Sequence, residues 1–332
     1  MTEELGAISA AIEAGESVRG TTSPNPPVGC ALISASGELI ATGATSPAGG
    51  PHAEVNALRQ AGERARGATA VVTLEPCNHT GRTGPCSQAL VEAGIRRVVY
   101  FTADPNEAAA GGADYLSAHG VEVDFQPVRV AALQPWLRSV RLGRPSVTLK
   151  FASTLDGFTA AADGTSKWIT GEDAREQVHV DRAKLDAIIV GTGTAISDDP
   201  SLTARFPDGR LREHQPRRVV IGSREVPEGN LTRLVFEQYA TPQKALDALW
   251  ETGARDVLVE GGASLAASFL DLDLVDAVQA YIAPALLGAG QGVLDRAIAG
   301  TIADARRFRT TLVRRVGNDV FIEMERDVYG TC

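Results

Sequence analysis

The sequence predicts an α/β protein of two domains. Its 332 residues are about twice the usual single-domain length, so two separate cores are the default expectation. Hydrophobic residues at 44% and charged residues at 22% are ordinary globular composition and leave no room for a long low-complexity tract. Short β-branched runs alternate with helical stretches through both halves, the pattern of sheets covered by helices.

In the first half, LGAISAAIEAG (5–15) reads as a helix, and VGCALIS (28–34) and ELIATGA (38–44) as a strand pair. HAEVNALRQAG (52–62) is a helix, ATAVVTL (68–74) a strand, PCSQALVEAG (85–94) a helix, RRVVYFT (96–102) a strand and GVEVDF (120–125) a last short strand. Residues 127–145 carry several arginines and three prolines around an amphipathic centre, which suits a bridge between two cores. The boundary is placed near Pro145, giving domains 1–145 and 146–332. SVTLKFAST (146–154) opens the second series. DAIIVGTGT (186–194), RRVVIGS (217–223), DVLVEGGASLAASFL (256–270) and AVQAYIAPALLG (277–288) follow, each a strand leading into a turn or helix. The helix EDAREQVHVDRAKL (172–185) contains His179, read as structural. No internal repeat is present.

A formal charge of −9 opposes wrapping nucleic acid, which needs a basic stripe to neutralise phosphates. No run approaches the ~20 apolar residues of a membrane span, and MTEELGAISA lacks the features of a secretory leader; a cytoplasmic location is expected. Four cysteines (Cys30, Cys77, Cys86, Cys332) are too few for a disulfide framework and favour metal or catalytic use. Cys30, in an apolar strand, reads as core.

The chemistry is concentrated in the first half. His52-Ala53-Glu54 opens a helical stretch, Pro76-Cys77 follows a strand, and Cys86 stands nine positions on at the start of another helix. One imidazole and two thiolates leave the fourth tetrahedral position of zinc open, the arrangement of a catalytic site. Zinc lowers the pKa of a bound water to about 7. Glu54, not itself a ligand, stands where a proton can be moved to a ring nitrogen and to a departing amine. The pattern of H-x-E followed by two cysteines is that of zinc deaminases of bases. Here the insert between the cysteines is longer, NHTGRTGP (78–85), and puts polar groups beside the metal.

Over nearly its whole length the sequence resembles the bifunctional riboflavin-biosynthesis deaminase/reductases. The matching stretches are TSPNPPVGC (22–30), PHAEVNAL (51–58), VTLEPCNHTGRTGPC (72–86), DPN (104–106), LKFASTLDG (149–157), SKWIT (166–170), DDPSLTAR (198–205), VEGGASL (259–265) and YIAPALLG (281–288). Gly84 and Glu107 depart from the family pattern, which has proline at both positions. The resemblance implies a cytidine-deaminase-like three-layer domain followed by a dihydrofolate-reductase-like domain. It implies zinc-dependent deamination of 2,5-diamino-6-ribosylamino-4(3H)-pyrimidinone 5′-phosphate, then NADPH-dependent reduction of the ribosyl group to ribityl, by a protein that forms homo-oligomers.

By the same resemblance, Asn25 meets the pyrimidine, its amide donating and accepting along one ring edge; the other reading of Asn25 is a turn former between prolines. His79 contacts substrate phosphate or bonds its own loop. NADPH contacts Ala152, Trp168, Thr194, Asp198, Ser223 and Gly262, and the reductase substrate meets Ser166, Arg182, Leu202, Arg205 and Glu260. Arg182 and Arg205 suit phosphate because guanidinium matches its oxygens in pairs, although such arginines also serve as solvated surface. Gly261 and Gly262 would let exposed N–H groups face a cofactor phosphate. There is no G-x-G-x-x-G, so a Rossmann site is not supported. Lys150, Asp156 and Asp199 are further candidates for orienting substrate, while His119 and His214 receive no role. The zinc chemistry alone also fits a deaminase of a nucleic-acid base with a non-catalytic second domain.

Overall fold

The computed structural model describes residues 2–79, 84–106 and 109–326, the side chains of 2–4 excepted. The middle of the insert (80–83), Glu107 and Cys332 lie outside the described residues. The chain divides into two compact units, the first closing at Arg141 and the second opening at Leu142. Among the described residues no helix is long and apolar enough to cross a membrane.

The first unit runs α1 (Thr2–Ser17), β1 (Gly29–Ile33), β2 (Leu39–Ala44), α2 (Ala53–Ala61), β3 (Thr69–Val72), α3 (Cys86–Glu92), β4 (Arg97–Tyr100), α4 (Gly112–Ala118), β5 (Glu122–Phe125) and α5 (Gln134–Leu142). Its sheet has the order β2-β1-β3-β4-β5. β1 is antiparallel to both neighbours, and β3, β4 and β5 run parallel. Every residue of β1 and of β3 is buried, as expected for strands covered on both faces. Cys30 lies inside this core.

Two glycines set how closely the covering helices approach. A Cβ on Gly29 would stand 1.9 Å from the carbonyl oxygen of Ala11 in α1. On Gly43 it would stand 2.2 Å from the carbonyl oxygen of Ala53 and 2.4 Å from the amide nitrogen of Ala57, both in α2. Only hydrogen fits at either place, so α2, which carries Glu54 on its first turn, rests directly on the backbone of β2.

The second unit runs β6 (Ser146–Thr154), β7 (Phe158–Ala161), α6 (Glu172–Arg182), β8 (Ala187–Gly191), α7 (Thr192–Asp198), β9 (Arg217–Ile221), α8 (Asn230–Leu234), β10 (Glu237–Tyr239), α9 (Pro242–Glu251), β11 (Asp256–Val259), α10 (Ala263–Asp271), β12 (Ala277–Ala283), β13 (Gly290–Gly292), β14 (Arg309–Val316) and β15 (Asp319–Glu325). An eight-stranded sheet has the order β10-β9-β8-β11-β6-β12-β15-β14, and β13 pairs with β7 apart from it. The six strands from β10 to β12 are parallel, and the β14–β15 hairpin closes the other edge antiparallel. Asp276, fully buried, accepts both Nη groups of Arg144 at 2.7 and 2.8 Å and the amide of Val147 at 2.8 Å, tying the starts of β6 and β12 together.

Gly43→Ala is expected to force α2 off β2 and to destabilise the first unit by about 1–3 kcal/mol, the usual cost of overpacking. Denaturant unfolding followed by a signal from that unit would measure it; an unchanged midpoint would contradict the close approach.

Candidate active site

In the first unit the proposed ligands converge. His52 occupies the position before α2 in extended conformation, Cys77 follows β3, and Cys86 is the first residue of α3. The Nδ1 atom of His52 lies 3.5 Å from Cys77 Sγ and 3.4 Å from Cys86 Sγ. All three donor atoms fall within 4.8 Å of one another. With Zn–N near 2.0–2.1 Å and Zn–S near 2.3 Å, a tetrahedral site has N···S edges of about 3.6 Å, so this donor set fits zinc without rearrangement. Three protein donors leave one position for a small exchangeable ligand.

Protons are distributed here as in a site built for a cation. A hydrogen bond from Cys86 pulls the Cys77 thiol down, and the same bond together with burial pushes Cys86 up, so one proton is shared between two sulfurs. A hydrogen bond to Cys77 raises His52. Glu54 is 3% exposed; burial, and then the negative charge of Cys77, lift it from the ordinary carboxylate range to about 7. A carboxyl at that value can both take and give a proton at neutral pH. Cys30 is held protonated by burial and by nearby Glu54, in keeping with its place in the core.

Some supporting residues were not anticipated from sequence. Asn56 Nδ2, one turn beyond His52, donates to the carbonyl of Ala44 at 2.8 Å and to Ser46 Oγ at 3.0 Å, fixing the approach to α2. Ser87, wholly buried next to Cys86, donates from its amide to the carbonyl of Cys77 at 3.2 Å and from Oγ to Asn78 Oδ1 at 2.8 Å. An asparagine inside HAEVN and a serine after a cysteine carry these roles without any distinguishing spacing. Asn25 closes a turn through its main chain: its amide donates to Thr22 at 2.9 Å, and Thr22 Oγ1 donates to its carbonyl at 3.0 Å. That turn does not use the side-chain amide of Asn25. His79 is exposed; the nearby Asp104 carboxyl is raised, chiefly by burial, and the charge of His79 opposes that only slightly. Gly84 is exposed, with open space where a side chain would go.

In the second unit Thr194, Asp198, Ser223, Glu260 and Gly262 follow the carboxyl ends of the parallel strands β8, β9 and β11, the end at which open α/β sheets bind ligands. Thr194 in α7 accepts the amide of Gly262, before α10, at 3.1 Å. The expectation of a free N–H at Gly262 is thereby corrected: Thr194 holds that group, and the amide of Leu265 in the first turn of α10 donates to the carbonyl of Gly262 at 3.0 Å. Ser223 is exposed just past β9, Asp198 ends α7, and Ala152 lies in β6. Trp168 is 70% exposed, with the Arg175 guanidinium 4.5 Å above its ring. Ser166 is exposed between β7 and α6.

Arg182 and Glu260 form a two-bond ion pair, Nε to Oε1 at 2.9 Å and Nη2 to Oε2 at 2.7 Å, with Arg182 Nη1 on the carbonyl of Thr203 at 3.1 Å. The guanidinium fork of Arg182 is thus engaged by a carboxylate. Arg182, with Lys150 beside it, holds Glu260 down to about 2 against the cost of burial. Burial lowers Lys150, which lies 5.6 Å from the centre of the Tyr281 ring. His179 Nδ1 donates to the carbonyl of Thr203 at 2.9 Å, and its Nε2 accepts from Arg205 Nη2 at 3.5 Å. Leu202 is 3% exposed with its side chain in the core, so only its main chain is available to a substrate. Two candidates are engaged in loop structure: Asp156 accepts the amides of Leu287 and Gly288 at 3.0 and 2.7 Å, and Asp199 accepts the amide of Asn230 at 2.6 Å.

Residues 1–102 match the cytidine and deoxycytidylate deaminase zinc-binding region, and residues 145–322 match the RibD C-terminal domain. The riboflavin biosynthesis protein RibD of Corynebacterium ammoniagenes is 60% identical over 307 residues, covering 90% of this chain and 91% of its own. The chain belongs to the RibD family, the bifunctional deaminase/reductases of riboflavin biosynthesis. RibD of Mycobacterium tuberculosis is 45% identical over 96% of both chains. Among solved structures, Acinetobacter baumannii RibD superposes with a TM-score of 0.85 at 37% identity, over 98% of this chain and 99% of that one. The diaminohydroxyphosphoribosylaminopyrimidine deaminase/5-amino-6-(5-phosphoribosylamino)uracil reductase of Thermotoga maritima gives 0.86 at 31% identity, over 98% and 100%. As in the RibD family, a cytidine-deaminase-like unit precedes a reductase unit, both α/β.

In metal-free protein the raised Glu54 carboxyl favours the folded state below pH 4.5, and that contribution is lost as pH rises through about 7. Glu54→Gln does not titrate, so its stability relative to the unsubstituted protein should improve by about 3 kcal/mol between acidic and mildly alkaline pH. Urea unfolding of chelator-treated protein at both ends of that range tests this; a constant difference would mean that the carboxyl is not buried as described.

Proposed function

We propose that the first unit deaminates 2,5-diamino-6-ribosylamino-4(3H)-pyrimidinone 5′-phosphate. The second unit then reduces the ribosyl group of the product, 5-amino-6-(5-phosphoribosylamino)uracil, with NADPH. The observation that carries the reading is the joining of His52, Cys77 and Cys86 around one point beside a proton-carrying Glu54, in a chain of RibD type throughout. A net charge of −9 supports small phosphorylated pyrimidines rather than nucleic acid as substrates, in a cytoplasmic enzyme.

Zinc, when held by His52, Cys77 and Cys86, supplies a Lewis acid that makes water ionise near neutral pH. Glu54 would take one proton from the attacking water and pass it to the ring nitrogen next to the amino-bearing carbon, then take the second from the new C–OH group and give it to the amine as that leaves as ammonia. Its burial beside the donor set places one carboxyl to perform each transfer. Asn25 orients the ring through its amide edge, and His79 meets the phosphate. Burial of Glu54 and both sulfurs keeps bulk water from competing.

NADPH, when bound in the second unit, supplies the hydride. Ala152, Trp168, Thr194, Asp198, Ser223 and Gly262 would hold it; Thr194 fixes the Gly262 turn so that the start of α10 presents its amides to a phosphate. Ser166, Arg205, the main chain of Leu202, and Glu260 would seat the substrate. Arg182 acts here through Glu260, keeping that carboxylate charged and aimed, and the Lys150 charge beside it adds to that hold.

Glu54→Gln should lower deamination by about 10²–10⁴-fold while leaving reduction of the deaminated compound unchanged. Ammonia release measures the first activity and loss of nicotinamide absorbance the second. Absence of NADPH oxidation by the unsubstituted protein would remove the reductase assignment; equal loss of both activities in the variant would remove the division of labour.

A further inference from the structure

Glu75 stands two residues before Cys77 and belongs neither to the ligand set nor to the proton-transfer chemistry, yet its side chain is 9% exposed. A carboxylate is buried at that cost only when something repays its lost hydration, and here the partners are main-chain amides. Oε1 accepts from Gly111 and from Ala113, both at 3.2 Å, and Oε2 from Asp104 at 3.4 Å. The amide of Glu75 itself donates to the carbonyl of Thr102 at 2.8 Å.

The next residues continue the attachment. Gly112 is packed so closely on Pro76 that a Cβ there would come within 1.7 Å of the Pro76 carbonyl oxygen. The amide of Asn78 donates to the carbonyl of Ala109 at 2.9 Å. Glu75, Pro76 and Asn78 therefore bind Cys77 from both sides in sequence to one backing made of Thr102, Asp104 and residues 109–113. On its other side the Cys77 carbonyl is held by Ser87, and through Ser87 by the helix that begins with Cys86. The positions of both sulfurs are set by this lattice of main-chain bonds, into which Glu75 puts both of its carboxylate oxygens.

We infer that Glu75 is a positioning residue for the metal centre: by gathering the amides of Asp104, Gly111 and Ala113 it holds the backing against which Cys77 is presented to the ion. The inference rests on the zinc reading above and adds a determinant of how tightly the ion is held. Residues that orient ligands in this way typically contribute 10–100-fold to metal affinity. Glutamine keeps the shape and one acceptor oxygen but turns an N–H₂ group toward a backbone N–H; alanine removes every acceptor.

The test uses full-length protein and zinc alone, with affinity read by competition against a chromophoric chelator. Glu75→Gln is expected to weaken zinc binding about tenfold and Glu75→Ala about a hundredfold. In Co(II)-loaded protein the thiolate-to-metal absorption should shift or lose intensity, because the Cys77 sulfur is no longer fixed. Gly112→Ala, which displaces the Pro76–Cys77 peptide from the opposite side of the contact, should reproduce the change and gives an independent measurement should Glu75→Ala not fold. NADPH-dependent reduction, carried by the other unit, reports that the chain is intact. Zinc affinity and cobalt spectra equal to those of the unsubstituted protein in Glu75→Gln and Gly112→Ala, with only thermal stability reduced, would overturn the inference. Failure of the unsubstituted protein to bind zinc would instead overturn the zinc reading itself.

Discussion

The first unit is organised around a concentration of potential negative charge in a dry place. Glu54, Cys77 and Cys86 lie together below the surface, and without a cation they must share protons to remain there, which is why one thiol is lowered, the other raised and the carboxyl lifted to about 7. The thiols depart in opposite directions because they share a hydrogen bond, and the carboxyl is lifted by the cost of removing an anion from water. The fold meets that cost with geometry: α2 rests on Gly43, α3 begins at Cys86, and the segment after β3 is held from both sides. The half-buried imidazole of His52 completes a donor set for which a divalent ion is the natural counter-charge.

The second unit handles buried charge differently. Arg182 and Glu260 neutralise one another through two bonds, so no metal is needed, and the carboxylate remains ionised even though it is buried. Such pairs add little net stability compared with apolar packing, but breaking one leaves an isolated charge. Their value lies in direction: a carboxylate clamped by a planar fork has one orientation. Thr203, whose carbonyl meets both Arg182 and His179, carries the same order into the segment of Leu202 and Arg205.

Much of this was legible in the sequence because it is written in residue types with few alternatives. A histidine and glutamate at H-x-E and two cysteines at helix and strand boundaries leave little other chemistry, and the apolar runs of β1, β3, β8 and β11 announce buried strands. What could not be read depends on pairing across the chain. The pairing of Arg182 with Glu260, 78 residues away, has no trace in the local sequence of either residue. Leu202 matched a substrate contact by motif, but its side chain belongs to the core. α4 begins with a pair of glycines and buries little more than Leu116, so its helical signal is weak. The β14–β15 hairpin is masked by arginines and threonines on an exposed edge strand. Asn56, Glu75 and Ser87 have roles defined by the backbone groups they meet, which no spacing rule records.

The three donors of the first unit also have a topological consequence. His52 is 25 residues from Cys77 and 34 from Cys86 along the chain. An ion shared among them is a cross-link that fastens the second helix to the far side of the central strand, and closing a loop of that length removes chain entropy from the unfolded ensemble much as a disulfide does, by about 3 kcal/mol. Catalytic competence and mechanical integrity of this unit therefore draw on a single supply of metal.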